Sequence, residues 1–192
     1  MQPADRRSHS WWAVLILCTV DFTVFAFFAY AYIHLSMALE VCPPPGAALP
    51  APSRAMANVV LLAASALLLR HYTRSPLGDG PHRQRLLRAC ALGALVCAVG
   101  AFGLSLAGHL DAGLSPRADG WSAAVGVIVA YQGFHCVLMM VLGGFLLARS
   151  WSGHLQPRAG ATVDNVALLW QAAALQGILG EILLRLIPAL ME

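Results

Sequence analysis

The chain has 192 residues, 59% of them hydrophobic and only 11% charged, with a mean hydropathy of +0.69. A soluble domain carries about a quarter charged residues, so the ordinary water-soluble class is excluded, and apolar runs near the length that crosses a bilayer take its place. The net charge of +3 comes from arginine alone, since there is no lysine, and arginines set beside apolar runs rather than in a stripe with aromatics exclude nucleic acid as a partner.

One domain over residues 1–192 with five spans is expected. Span one runs from about Trp12 to Leu39, preceded by Arg6 and Arg7. It is too long for a signal-peptide core and has no small-residue cleavage site, so no cleavable leader is expected. The turn Cys42-Pro43-Pro44-Pro45-Gly46 must end it. Span two, about 55–70, has an uncharged stretch of only about fifteen residues, so Arg54 and Arg70 are expected to snorkel. The next loop holds Arg74, Arg83 and Arg85 with the breakers Pro76, Gly78, Gly80 and Pro81. Span three follows at about 86–110, then a short loop with Asp111, Pro116, Arg117, Asp119 and Gly120. Span four is expected at about 121–148. A loop with Arg149, Pro157 and Arg158 leads to span five, about 163–190.

Loop charges orient the bundle. The N-terminus, the second loop with Arg70, Arg74, Arg83, Arg85 and Arg88, and the fourth with Arg149 and Arg158 are basic. The first and third hold one arginine each, Arg54 and Arg117, beside Glu40, Asp111 and Asp119. By the positive-inside rule the N-terminus is cytoplasmic and the C-terminus periplasmic. The fold class expected is therefore an all-α integral membrane bundle of five transmembrane helices.

Ionisable groups inside a bilayer are costly and mark functional candidates. Asp21 lies nine residues into span one, roughly 14 Å at 1.5 Å per residue, near the midplane. An unpaired carboxylate there takes up a proton rather than stay charged. His135, near the middle of span four, is the only histidine at comparable depth, so the two can pair; a bond from His135 to a serine or a backbone carbonyl is the plainer alternative. Glu181 and Arg185, four apart on span five, share a face and can neutralise each other. His34 and His109 fall near outer helix ends, where interfacial roles are expected ahead of a haem clamp.

Of the five cysteines, Cys18, Cys90, Cys97 and Cys136 lie in apolar runs and Cys42 in a loop, so no disulfide framework is expected. Cys90 and Cys97, two turns apart, are packing residues before they are a metal pair. No metal-spaced cluster, phosphate loop or nucleophile elbow occurs, and neither catalytic nor metal-binding residues are expected. Gly93, Gly100, Gly103, Gly143, Gly144, Gly177 and Gly180 permit close helix approach. Trp11, Trp12, Trp121, Trp151 and Tyr32 are placed as interfacial anchors.

The run from Asp21 through Phe25-Ala26 to Tyr30-Ala31-Tyr32, followed by Pro43-Pro44-Pro45-Gly46 and Pro50, resembles subunit III of the haem-copper respiratory oxidases, in its short five-helix bacterial form. Asn58 and Ser65 resemble an Asn opening the family's next helix and a Ser near its middle. Gly133-Phe134-His135 is similar to the start of its Gly-Phe-His motif, and Trp170 to a Trp of its last helix. The chain departs from the pattern where the family usually has Glu (here Asp21), a second histidine (Leu138), and a Trp-His-x-x-Asp run (Trp170-Gln171-Ala172-Ala173-Ala174).

The resemblance implies an accessory subunit of a respiratory terminal oxidase in the bacterial inner membrane, with no cofactor of its own. It would pack on catalytic subunit I and subunit II, whose haem and copper do the chemistry, hold phospholipid between its helices, and support proton uptake. Asp21 would take the family's carbodiimide-reactive position. Three alternatives stand beside it: the related protein that accompanies nitric oxide reductase, a haem-binding electron carrier using His34, His109 or His135, and a proton-coupled transporter working through Asp21. Internal repeats, common in transporters, are not apparent.

Overall fold

A computed structural model describes residues 9–75, 80–152 and 160–191. Arg6, Arg7, Pro76, Gly78, Pro157 and Arg158, used above to read topology and breaks, lie outside those residues. Among the described residues the chain is five helices and their connections, with no strand: α1 (His9–Met37), α2 (Pro52–Arg74), α3 (Pro81–Asp111), α4 (Gly120–Trp151) and α5 (Gly160–Met191). All five are long and apolar enough to cross a membrane. Lipid offers no partner to backbone N–H and C=O groups, so a spanning segment must bond to itself, which a helix does.

The helix boundaries differ from the expected ones where an arginine tempted an early stop. α2 has 23 residues and runs through Arg70 to Arg74, because no breaker precedes Ser75, which is extended at φ −64°, ψ 129°, as a residue before proline prefers. At about 35 Å it spans the hydrocarbon core without the shortening expected of it. α3 likewise begins at Pro81, so Arg83, Arg85 and Arg88 are helical rather than loop residues. Arg88 bonds across to α4, Nε to Ser150 Oγ at 2.9 Å and a terminal nitrogen to Ser150 O at 2.7 Å. α1 stops at Met37, two residues before Leu39. Asp119 caps α4, accepting from the Ser122 backbone N–H at 2.7 Å.

The helices form a ring in the order α1, α5, α2, α3, α4, with α4 and α5 also touching across it. α1 contacts neither α2 nor α3. The core is split accordingly. One cluster, with Leu62, Ala94, Met139, Leu146 and Trp170, fills the space among α2, α3, α4 and α5. A smaller one, with Tyr32, Trp121, Val125, Ile128 and Leu184, joins α1, α4 and α5 under the first loop. Large apolar side chains point outward on every helix, among them Ile16, Phe27, Val60, Val96, Val141 and Leu186. An apolar exterior around an apolar core with a few buried polar groups suits a lipid solvent.

Two expected anchors are core residues instead. Trp121 is buried with Nε1 donating to Ser36 Oγ at 3.1 Å, and fully buried Tyr32 donates from its hydroxyl to Leu184 O at 3.1 Å. Their polar tips found protein partners rather than the membrane surface. Trp12 and Trp151 are exposed, as anchors are. Close approach by glycine is clearest at Gly177, where a Cβ would stand 2.8 Å from Leu62 Cδ1. Gly103 and Gly144 face open space and bring no helices together.

Candidate functional site

Asp21 and His135 meet on the seam between α1 and α4. Asp21 stands 12 residues into α1 and His135 15 residues into α4, so both fall near mid-helix. His135 Nε2 is 2.9 Å from Asp21 Oδ2, with 5% of the histidine side chain and 26% of the aspartate exposed. The other carboxylate oxygen, Oδ1, accepts from the Tyr131 hydroxyl, which also lies 3.1 Å from the Asp21 backbone carbonyl. Tyr131 and His135 are one turn apart on α4, so a single helix face supplies both partners. Phe28 on α1 packs edge-on to Tyr131, ring centroids 5.2 Å apart, and the Tyr131 and His135 rings meet edge-on at 4.6 Å.

This geometry fixes a proton count. His135 Nδ1 lies 2.8 Å from Tyr131 O. A carbonyl only accepts, so Nδ1 carries hydrogen. In neutral histidine Nε2 then holds a lone pair, facing a carboxyl oxygen at 2.9 Å. Two lone pairs would repel there, and one proton between them removes the conflict. With that proton the pair is neutral overall, either as acid and imidazole or as carboxylate and imidazolium. Without it a net negative charge stays in an apolar environment, which is costly. The unit is a site for one proton.

Glu181 and Arg185 do not form the pair expected from their spacing. Glu181, buried, accepts from Asn58 Nδ2 at 2.6 Å. Arg185 donates to the carbonyls of Pro50 and Ala51 at 2.6 and 3.3 Å. Those carbonyls precede α2, where Pro52 brings no N–H of its own, and the guanidinium bonds to them rather than to Glu181. Sharing a helix face permits contact, and better partners on α2 and its leading turn won.

His109, expected at the interface, is buried at the end of α3, with Nδ1 2.9 Å from Ser105 O. His34 is exposed and stacks on Tyr30, centroids 6.0 Å apart. The two sit on helices that make no contact, His34 on the outer surface and His109 inside the bundle. All five cysteines are free, Cys90 buried and Cys97 half-buried, and among the described residues no group of three or more Cys, His, Asp or Glu could hold a metal ion.

Sequence reasoning missed Tyr131, although its place four residues before His135 was a usable signal. It also missed Gln132 and Gln176, buried on α4 and α5, and the ion pair of Arg54 with Asp111 at 2.5 Å that ties the start of α2 to the end of α3. Asn58, Ser65 and Trp170 are engaged inside the bundle, Trp170 Nε1 donating to Ser65 Oγ at 3.1 Å. The chain matches no family model and no curated protein.

Proposed function

We propose that this protein is an accessory, proton-holding subunit of the subunit III type, bound to the catalytic subunits of a respiratory haem-copper oxidase in the bacterial inner membrane. The observation that carries this reading is the Asp21–His135 pair, a one-proton site at mid-depth whose carboxylate keeps part of its surface on the outer face of the α1–α4 seam. A carboxyl open to a neighbour at that depth suits proton exchange next to a partner and needs no redox group of its own. The five-helix layout and the Asp21-to-Tyr32 run with its proline-rich turn support the same family. An apolar groove of about 530 Å³ between α3 and α4, with Phe102, Leu106, Val129 and Phe134 on its walls, suits a lipid chain. The N-terminus is placed in the cytoplasm and the C-terminus in the periplasm, on the arginine distribution.

The test is co-purification in mild detergent from the native membrane. A copper- and haem-containing catalytic subunit should come with the chain. Recovery with a haem and non-haem-iron subunit would assign it to nitric oxide reductase instead. A purified single chain that shows a Soret band, or that carries substrate-dependent proton flux alone in liposomes, would contradict the accessory role.

A further inference from the structure

The end of the bundle where α2 begins and α3 stops holds a cavity of about 10 Å³, with Arg54, Ala55, Asn58, Ser105, His109 and Glu181 in its walls. Two buried side-chain polar atoms of those walls lack a hydrogen-bond partner among the described residues, Asn58 Oδ1 and His109 Nε2. Asn58 is 1% exposed and His109 6%. An unpaired polar atom is costly in such a place. Two of them, from different helices on one small cavity, point to an occupant that serves both.

The chemistry of the two atoms selects that occupant. His109 Nδ1 lies 2.9 Å from Ser105 O. A carbonyl only accepts, so Nδ1 carries the hydrogen and Nε2 of the neutral ring is an acceptor. Asn58 donates from Nδ2 to Glu181 Oε1 at 2.6 Å, which leaves its Oδ1, also an acceptor, for the cavity. Neither atom can serve the other. A proton on His109, a cation, or a small neutral molecule with two donors would satisfy them, and charge decides among the three. Arg54 is paired with Asp111, and Glu181 lies one turn from Arg185 on α5. The charges beside the cavity therefore already balance, and an added proton or cation would leave a net positive charge away from bulk water, which is costly. The space is that of a single water, and its two hydrogens match the two acceptors.

We propose that this cavity is a binding site for one internal water, which gives one hydrogen to His109 Nε2 and the other to Asn58 Oδ1. The water also fixes the Asn58 amide. Turned the other way round, that amide would offer Nδ2 to His109 and set Oδ1 against Glu181, an arrangement that requires a proton on Glu181. With Oδ1 taken by the water, Nδ2 stays on Glu181, and Glu181 stays a carboxylate. Asn58 is thus a positioning residue for Glu181, and one water ties α2 to α3 where α2 is already bonded to α5. The water site depends on neither a partner subunit nor the Asp21–His135 pair.

The test is solid-state NMR of the full chain in lipid bilayers, labelled with carbon-13 and nitrogen-15. Magnetisation should pass from water to the His109 ring, with Nδ1 protonated and Nε2 a bare acceptor. The Glu181 carboxyl carbon should resonate as an ionised carboxylate. No transfer from water to the His109 ring would overturn the site. A His109 ring protonated at both nitrogens, or a Glu181 resonating as the neutral acid, would overturn it as well. Ala55, buried, lines the same cavity, so Ala55→Val puts two further carbons into the space of one water. The transfer to His109 should be lost in that variant, and transfer at full strength would contradict the site. If Ala55→Val does not fold, the readouts in the unaltered chain decide alone.

Discussion

At the scale of single residues, the consequential choice is an aspartate on α1 opposite a histidine on α4. Neither is tolerable alone at that depth, and each removes the other's cost. Asp21→Asn and His135→Leu should therefore be non-additive. Each single variant should cost about 1.5–3 kcal/mol, the range for a hydrogen bond to a charged group, lowered toward its bottom because part of Asp21 is exposed. The double variant should cost little more than either single one, giving a coupling above about 1 kcal/mol in thermal unfolding of the detergent-solubilised chain. Additive losses would mean the two side chains act independently. The depth of Asp21 and His135 was legible from counting residues along apolar runs. That Glu181 and Arg185 turn to different neighbours was not, because i, i+4 spacing says who can meet and not who competes. Asn58 and the carbonyls of Pro50 and Ala51 come from distant sequence.

At the scale of the helix, ends proved harder to read than spans. Arg70 and Arg88 look like boundaries by composition, yet a helix continues through a charge whenever the next breaker is a turn away, and both α2 and α3 do so. The start of α4 carries a signal that a count of loop charges passes over, since an Asp before a Ser-containing first turn is a good cap. Bonds from the Ser122 backbone and hydroxyl hold the Asp119 carboxyl below its ordinary range, the backbone bond first. A depressed carboxyl stabilises the fold above its unfolded value near 4. That contribution fades as pH falls through the lower folded value. Asp119→Ala should cost about 0.5–1 kcal/mol at neutral pH, the low end for a cap because the residue is exposed. Asp119→Asn should keep most of the cap and lose its pH dependence below pH ~4. Unfolding midpoints of the unaltered chain and both variants between pH ~3 and ~7 check this. Equal pH slopes for the unaltered chain and Asp119→Asn would contradict it.

At the scale of the molecule, the five-helix bundle was legible because hydropathy and length decide it almost alone. The ring order was not, since lipid-facing and buried faces are both apolar and no periodicity separates them. The burial of Trp121 and Tyr32 has the same origin: an aromatic near a helix end reads alike whether it meets headgroups or a fold-back loop. The two-part core matters for function because, among the described helices, α1 packs on α4 and α5 alone, which leaves the Asp21 carboxyl on a seam rather than in the centre of the bundle.

The most direct test of the account is the protonation of His135 in the full chain in lipid bilayers, read from the nitrogen-15 shifts of its ring by solid-state NMR. Nδ1 should carry hydrogen, and Nε2 should report a proton shared with a carboxyl, lost as a signature in Asp21→Asn. A bare Nε2 lone pair with no bonded proton, indifferent to the residue at position 21, would contradict it.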